Sequence, residues 1–347
     1  MKIFYRYLGA ICVTLLFSSC ITTQSVPIDQ MEPGKVSLPA QVRKVALIAR
    51  NFKFPIDTLG GYWSLNNRLK MGTSLDNKMI DSIAVTKSLD NLRKAMLESG
   101  RFDEVFVYPF NAIKPHVGKK DLPLSSGFIQ SVCTESSTEA VISLEMLSFF
   151  YSRQNGNPGN GIPGEANAKI TAIWSVYTAK SEKPVDRFTH SEVIRWTESD
   201  RLNSNKKFKL PGRIDAISIA CGKAATNYSK RIVPYWAESS RLLIGLENAD
   251  FEKAMSYALK NKWKEASRIW ESYTKSPGNR VAGIASLNNA IAQEMLGDYD
   301  KASFWSDKSV KLLKNGEAGK IARSYAGILF NRQLKAANLN SMLKPAL

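Results

Sequence analysis

The chain has 347 residues, 44% of them hydrophobic and 23% charged, with a formal charge of +17. That length exceeds one average domain and that composition buries a core, so two folded units are expected and general disorder is excluded. The basic excess favours anionic neighbours such as lipid headgroups, cell-wall polymers or an acidic protein.

At the amino terminus Lys2 and Arg6 precede an apolar run from Leu8 to Phe17 and a small-residue end, Ser18-Ser19-Cys20. About ten apolar residues are half of what a membrane span needs but suit a secretion signal. Phe17-Ser18-Ser19-Cys20 resembles the lipobox of bacterial lipoproteins, with Phe17 where Leu is commoner. The resemblance implies cleavage after residue 19 and acylation, palmitate included, of Cys20; a plain signal with an incidental cysteine is the alternative. No Asp stands directly after Cys20, and no acidic run follows it. By the same resemblance, the mature protein is expected on the periplasmic face of the outer membrane. Losing Lys2 and Arg6 with the signal leaves 46 basic residues of 48 against 31 acidic ones, a charge of +15. Residues 20–40, rich in Thr, Ser, Gln and Pro, read as a lipidated tether that reaches roughly 50 to 60 Å when stretched.

Residues 41–240 read as an α/β domain. Lys44 to Ala49 is an apolar, β-branched run expected as a buried strand, and residues 51–76 read as a long loop. A helical stripe runs through Ile83, Leu89, Leu92, Ala95, Met96 and Leu97 and stops at Gly100. Phe102 to Tyr108 alternates as a strand, and a Pro- and Gly-rich crossover fills residues 109–126. Three long strands follow, over Glu139–Tyr151, Lys169–Ala179 and Val185–Trp196, and their short connections predict an antiparallel meander. The tip between the first two, Asn155 to Gly164, is low in complexity. A last helix is expected from Arg213 to Ile232, with Ile217, Cys221, Ala224, Ala225 and Tyr228 on one face. This element order resembles the domain shared by the TolB amino-terminal region, the curli secretion lipoprotein and lipoprotein activators of peptidoglycan synthases. The fold class expected is therefore α+β, a mixed sheet with packed helices, followed by all-α repeats.

The last third repeats. Ala254, Ala290 and Ala326 are spaced by 36, as are Trp263 and Tyr299, and Ala266 and Ala302. Leu296-Gly297-Asp298-Tyr299-Asp300-Lys301-Ala302 resembles the turn core of the tetratricopeptide repeat (TPR), and Asn261 to Ala266 is the same core with Asn for Gly. Gly or Asn suits a left-handed turn, and small Ala lets two helices approach. Residues 248–343 are thus expected as TPR repeats, with residues 321–343 a capping helix or an incomplete unit. On that resemblance the concave groove is lined by Asn248, Phe251, Met255, Ile284, Leu287 and Ile291. Such an apolar groove suits a partner's helix or strand, or a part of this chain. The whole arrangement resembles a family of uncharacterised Bacteroidetes lipoproteins with an α/β domain and terminal repeats.

Chemistry is sparse in the sequence. His116 and His190 are the only histidines, and no nucleophile, metalloprotease or nucleotide motif occurs, so no cofactor or metal is expected. Carboxylate pairs such as Glu145 with Glu192, expected on neighbouring strands, would suit glycoside hydrolysis; solvated strand faces are the alternative. Arg201, Lys206, Lys207 and Lys209, with Arg213, form a basic loop that would meet an anionic lipid or wall polymer or be simply solvated. Cys133 and Cys221 either pair or stay as small core residues. The expected function is a non-enzymatic, outer-membrane-anchored interaction or assembly factor that binds envelope proteins and no nucleic acid. A surface glycan-binding lipoprotein working with an outer-membrane importer is the alternative.

Overall fold

The computed structural model describes residues 22–52, 61–64, 68–71, 74–109, 122–156, 162–181, 183–198 and 210–343. The chain divides into two compact units, one holding residues 33–235 and the other joining the chain up to Glu32 to Trp236–Asn338. The first described element already departs from expectation. Strand β1 (Thr23–Glu32) occupies the stretch read as tether, and its burial alternates, with Val26 at 2% and Ile28 at 8% exposure. Residues 33–42 are no tether either. The amides of Lys35 and Val36 donate to the Arg231 carbonyl, and Val36, Leu38 and Val42 are buried. The wholly buried Arg101 guanidinium donates to the carbonyls of Leu38, Pro39 and Val42. The polar side chains that suggested an extended tether lie on the outward positions of a paired chain.

In the unit of residues 33–235, β2 (Lys44–Phe52) starts the sheet. β3 (Gly61–Ser64) and β4 (Arg68–Met71) form an antiparallel hairpin where a loop was expected. Helix α1 (Ser74–Glu98) then leads to β5 (Glu104–Val107), which pairs parallel with β2. Helix α2 (Ser126–Ser136) has no counterpart in the sequence reading. The Ser125 hydroxyl caps its first turn by accepting from the Phe128 amide, and Ser137 closes it at φ 52°. Next come β6 (Ala140–Gln154), β7 (Glu165–Thr178) and β8 (Asp186–Thr197), the antiparallel meander expected; β6 also runs parallel to β2.

Period-two alternation divides the core between the two faces of this sheet. Val45, Leu47 and Ala49 of β2, with Ala140, Ile142 and Leu144 of β6, join α1 and α3 (Arg213–Ser229) in one cluster. Ala46, Ile48 and Val141 meet Ile129 and Val132 of α2 on the other. Close approach of α1 and α3 explains Gly222, where a Cβ would fall 2.9 Å from the Asn91 amide nitrogen. Helix α3 ends at Ser229, three residues before the expected Ile232.

The second unit holds strand β9 (Tyr235–Ile244), apart from its first residue, and five helices: α4 (Ala249–Leu259), α5 (Trp263–Tyr273), α6 (Asn279–Met295), α7 (Tyr299–Leu312) and α8 (Gly316–Leu343), the last up to Asn338. β1 and β9 form a two-stranded sheet of their own. The 36-residue spacing reappears in the backbone. At the first turn Asn261 lies at φ 57° and the amides of Asn261 and Lys262 donate to Ala258 and Tyr257; at the second Gly297 lies at φ 80° and the amides of Gly297 and Asp298 donate to Glu294 and Gln293. The left-handed residue lets each helix end and turn back within three residues. Ala266 and Ala302, both fully buried, follow at the same offset.

Candidate functional site

Of the six groove positions, Phe251, Ile284 and Leu287 are 0% exposed and Ile291 1%, while Asn248 is exposed and Met255 half-buried. The first four share one core with Val26 and Ile28 of β1 and Leu243 and Ile244 of β9. The expectation that these side chains line an open groove is therefore corrected: the β1–β9 ribbon packs with them inside the unit's own core. Asn248 instead caps α4, its side chain accepting from the Asp250 amide.

Polar groups lock the ribbon to α6, whose residues Ala282–Glu294 are all buried. The Asn288 side chain imitates a neighbouring strand: its Oδ1 accepts from the Ile244 amide at 3.0 Å and its Nδ2 donates to the Ile244 carbonyl at 2.8 Å. Arg241 of β9 donates through Nε and Nη2 to the two carboxylate oxygens of Glu294, at 2.9 and 2.5 Å. The Tyr325 hydroxyl donates to the same carboxylate, and Arg241 also reaches Gln30 of β1. Burial opposes the Arg241 charge, yet the bonds and charge of Glu294 outweigh it and hold the guanidinium pKa above its ordinary value. Burial first, then the Glu294 charge, pushes the Tyr325 hydroxyl well up.

Beside this lock lies a cavity of about 550 Å³ between the ribbon and α8, lined by Gln30, Glu238, Ser239, Ser240, Arg241, Ile328, Asn331, Arg332 and Lys335. Its cations are engaged: Lys335 pairs with Glu32 at 2.8 Å, Arg332 donates to the Met31 carbonyl, and Arg241 holds Glu294. What remains on the rim is neutral or acidic: Ser240, Asn331 and Glu238, all exposed. This is a polar recess suited to hydrogen bonding. The sequence reading missed Arg241 and Glu294, which stand at the ends of apolar stretches, Arg241 just before Leu242-Leu243-Ile244 and Glu294 near the end of the Ala-rich α6.

The carboxylate pair does not form. Glu145 lies on β6 and Glu192 on β8, with β7 between them. Glu145 is 0% exposed; Arg50 donates to it at 2.6 Å and the Tyr177 hydroxyl at 3.0 Å. Burial pushes the Glu145 carboxyl up, more than Arg50 draws it down. Glu192 accepts two bonds from the Asn227 amide and lies 3.4 Å from His190 Nε2. Cys133 and Cys221 are both free and buried, in the clusters on opposite sheet faces. Among the described residues no group of three His, Cys, Asp or Glu side chains is placed to hold a metal. Cys20, His116, Arg201, Lys206, Lys207 and Lys209 lie outside the described residues.

Residues 42–243, more than half of the chain, match a family described as a domain of unknown function, DUF8603. The chain belongs to the DUF8603 family. The DUF8603 match takes in β2 through most of β9, including Arg241. Residues 252–331 match a second domain of unknown function, DUF6340, which spans α5 to α7 and parts of α4 and α8. No curated protein matches this DUF8603 member.

Proposed function

We propose that this protein is a non-enzymatic, outer-membrane-anchored periplasmic lipoprotein that binds other envelope proteins, with its helical hairpins acting as TPR-type repeats. The partner is an envelope protein that docks at the recess between the ribbon and α8, since the apolar positions of the repeats are core. The observation that carries this reading is the chemistry of that recess: about 550 Å³, polar-rimmed, with its cations already engaged. Hydrogen-bonding groups held on a rigid ribbon and helix supply specificity for a polar segment, and none of the three cations is free to act as an acid.

Site-specific photo-crosslinking in growing cells tests it. A benzophenone side chain at Ser240 or Asn331 is expected to give a discrete adduct with one envelope protein, whereas the same group at the exposed Arg323 gives none. Absence of adducts at 240 and 331, or equal adducts at all three positions, overturns the recess as the docking site.

A further inference from the structure

The start of β1 fixes where a lipid on Cys20 must emerge. The Thr22 carbonyl accepts from the Gly245 amide at 2.8 Å, and within four residues the strand is committed to the core at Val26. Only Ile21 stands between Cys20 and Thr22, two residue steps with a contour of about 7 Å, in place of the long tether that the composition suggested. A recess of about 390 Å³ opens at that point, lined by Thr22, Gly245, Leu246, Met255 and Leu259 together with Lys260, Glu247 and Glu252. Leu259, the last residue of α4, is 49% exposed.

We infer that this end of the helical unit, the start of β1 with the β9–α4 junction and the end of α4, rests directly on the lipid bilayer, with Leu246, Met255 and Leu259 facing the membrane interface. The inference rests on the acylation of Cys20 proposed above. The covalent lipid supplies the affinity, and the short leash leaves this surface within reach of the bilayer. Burying an exposed Leu and a half-buried Leu and Met there removes apolar area from water, while Lys260 extends its ammonium toward the headgroups. Because Glu247 and Glu252 offset Lys260, contact is apolar and does not depend on anionic lipid.

The test uses the mature acylated protein in phosphatidylcholine vesicles that carry a nitroxide on the acyl chain. Cys133 and Cys221 are buried, so Leu259→Cys or Lys260→Cys takes a fluorescent thiol label at one place, and Phe304→Cys, 62% exposed on α7, serves as control. Labels at 259 and 260 are expected to be quenched several-fold more than the label at 304, equally with and without phosphatidylglycerol. Metabolic incorporation of palmitate into the same protein reads the anchor separately. Palmitate present with the 259 and 260 labels quenched no more than 304 overturns this inference and leaves the lipoprotein reading standing. Quenching that requires phosphatidylglycerol overturns it too, as does shielding of Leu259→Cys in cells without lipid quenching, which assigns the surface to a protein. Absence of palmitate overturns both.

Discussion

Cys221 packs from α3 into the sheet, and burial pushes its thiol up to about 12, since a thiolate there would leave water without compensation. The Cys133 thiol is raised for the same reason. The folded chain therefore keeps the Cys221 proton through the window in which the unfolded chain, with an ordinary thiol near 9.0, loses it. Stability from this group is complete below pH 9 and falls as pH rises from about 9 to about 12. At pH 10 the loss is roughly 1 kcal/mol. Denaturant midpoints of the protein and of Cys221→Ala, compared at pH 8 and pH 10, are expected to show a drop shallower by that amount in the variant. An identical drop in both would remove Cys221 as its source. The same burial makes Cys221 silent to iodoacetamide until the chain unfolds.

At the scale of elements, strand and helix periodicities were read from the residues with success where each element packs on one face. In the meander, β7 alternates through its first nine residues while the first eight residues of β6 are all buried, and Asn261 and Gly297 announce their turns because few other residues accept φ 57° or 80°. The face of the repeats was misjudged for a physical reason: an apolar position looks the same whether a partner, a domain or a ribbon of the same chain covers it. Phe251 and Leu287 share the core of β1 and β9, so Phe251→Asn with Leu287→Asn removes two fully buried side chains and strands two amides among apolar groups. Each change is expected to cost about 3 kcal/mol or more. Thermal melting should show the loss as a large fall in midpoint or an absent transition for the helical unit. Unchanged melting would instead describe an outward-facing groove.

For the molecule as a whole, the ribbon joins residues 22–32 to the helices of the last third. Residues up to Glu32 belong with Trp236–Asn338, although some two hundred residues separate them. A variant that starts at Pro33 removes Val26 and Ile28 from the helical core and leaves Lys335 without Glu32. Burial of the two apolar side chains alone is worth about 3 to 6 kcal/mol, a large part of a domain's usual margin. Hydrogen exchange at the amides of α6 is expected to accelerate strongly in that variant. Exchange at the native rate would restore the tether reading.

Local order and long-range order thus divide along a physical line. Helices α1 and α3, the meander and the two turns follow from periodicity and from residues with special backbone freedom, which neighbours in sequence report, whereas α2 does not. β1 escaped because Ser25, Pro27 and Asp29 face outward and its two buried apolar positions, Val26 and Ile28, are too few to show a period. The Arg241–Glu294 pair, the Asn288 bridge to Ile244, the separation of Glu145 from Glu192 and the opposite faces of Cys133 and Cys221 depend on which segments meet. Pairing of that kind is decided by the burial of whole faces against one another, and no single stretch of residues carries it.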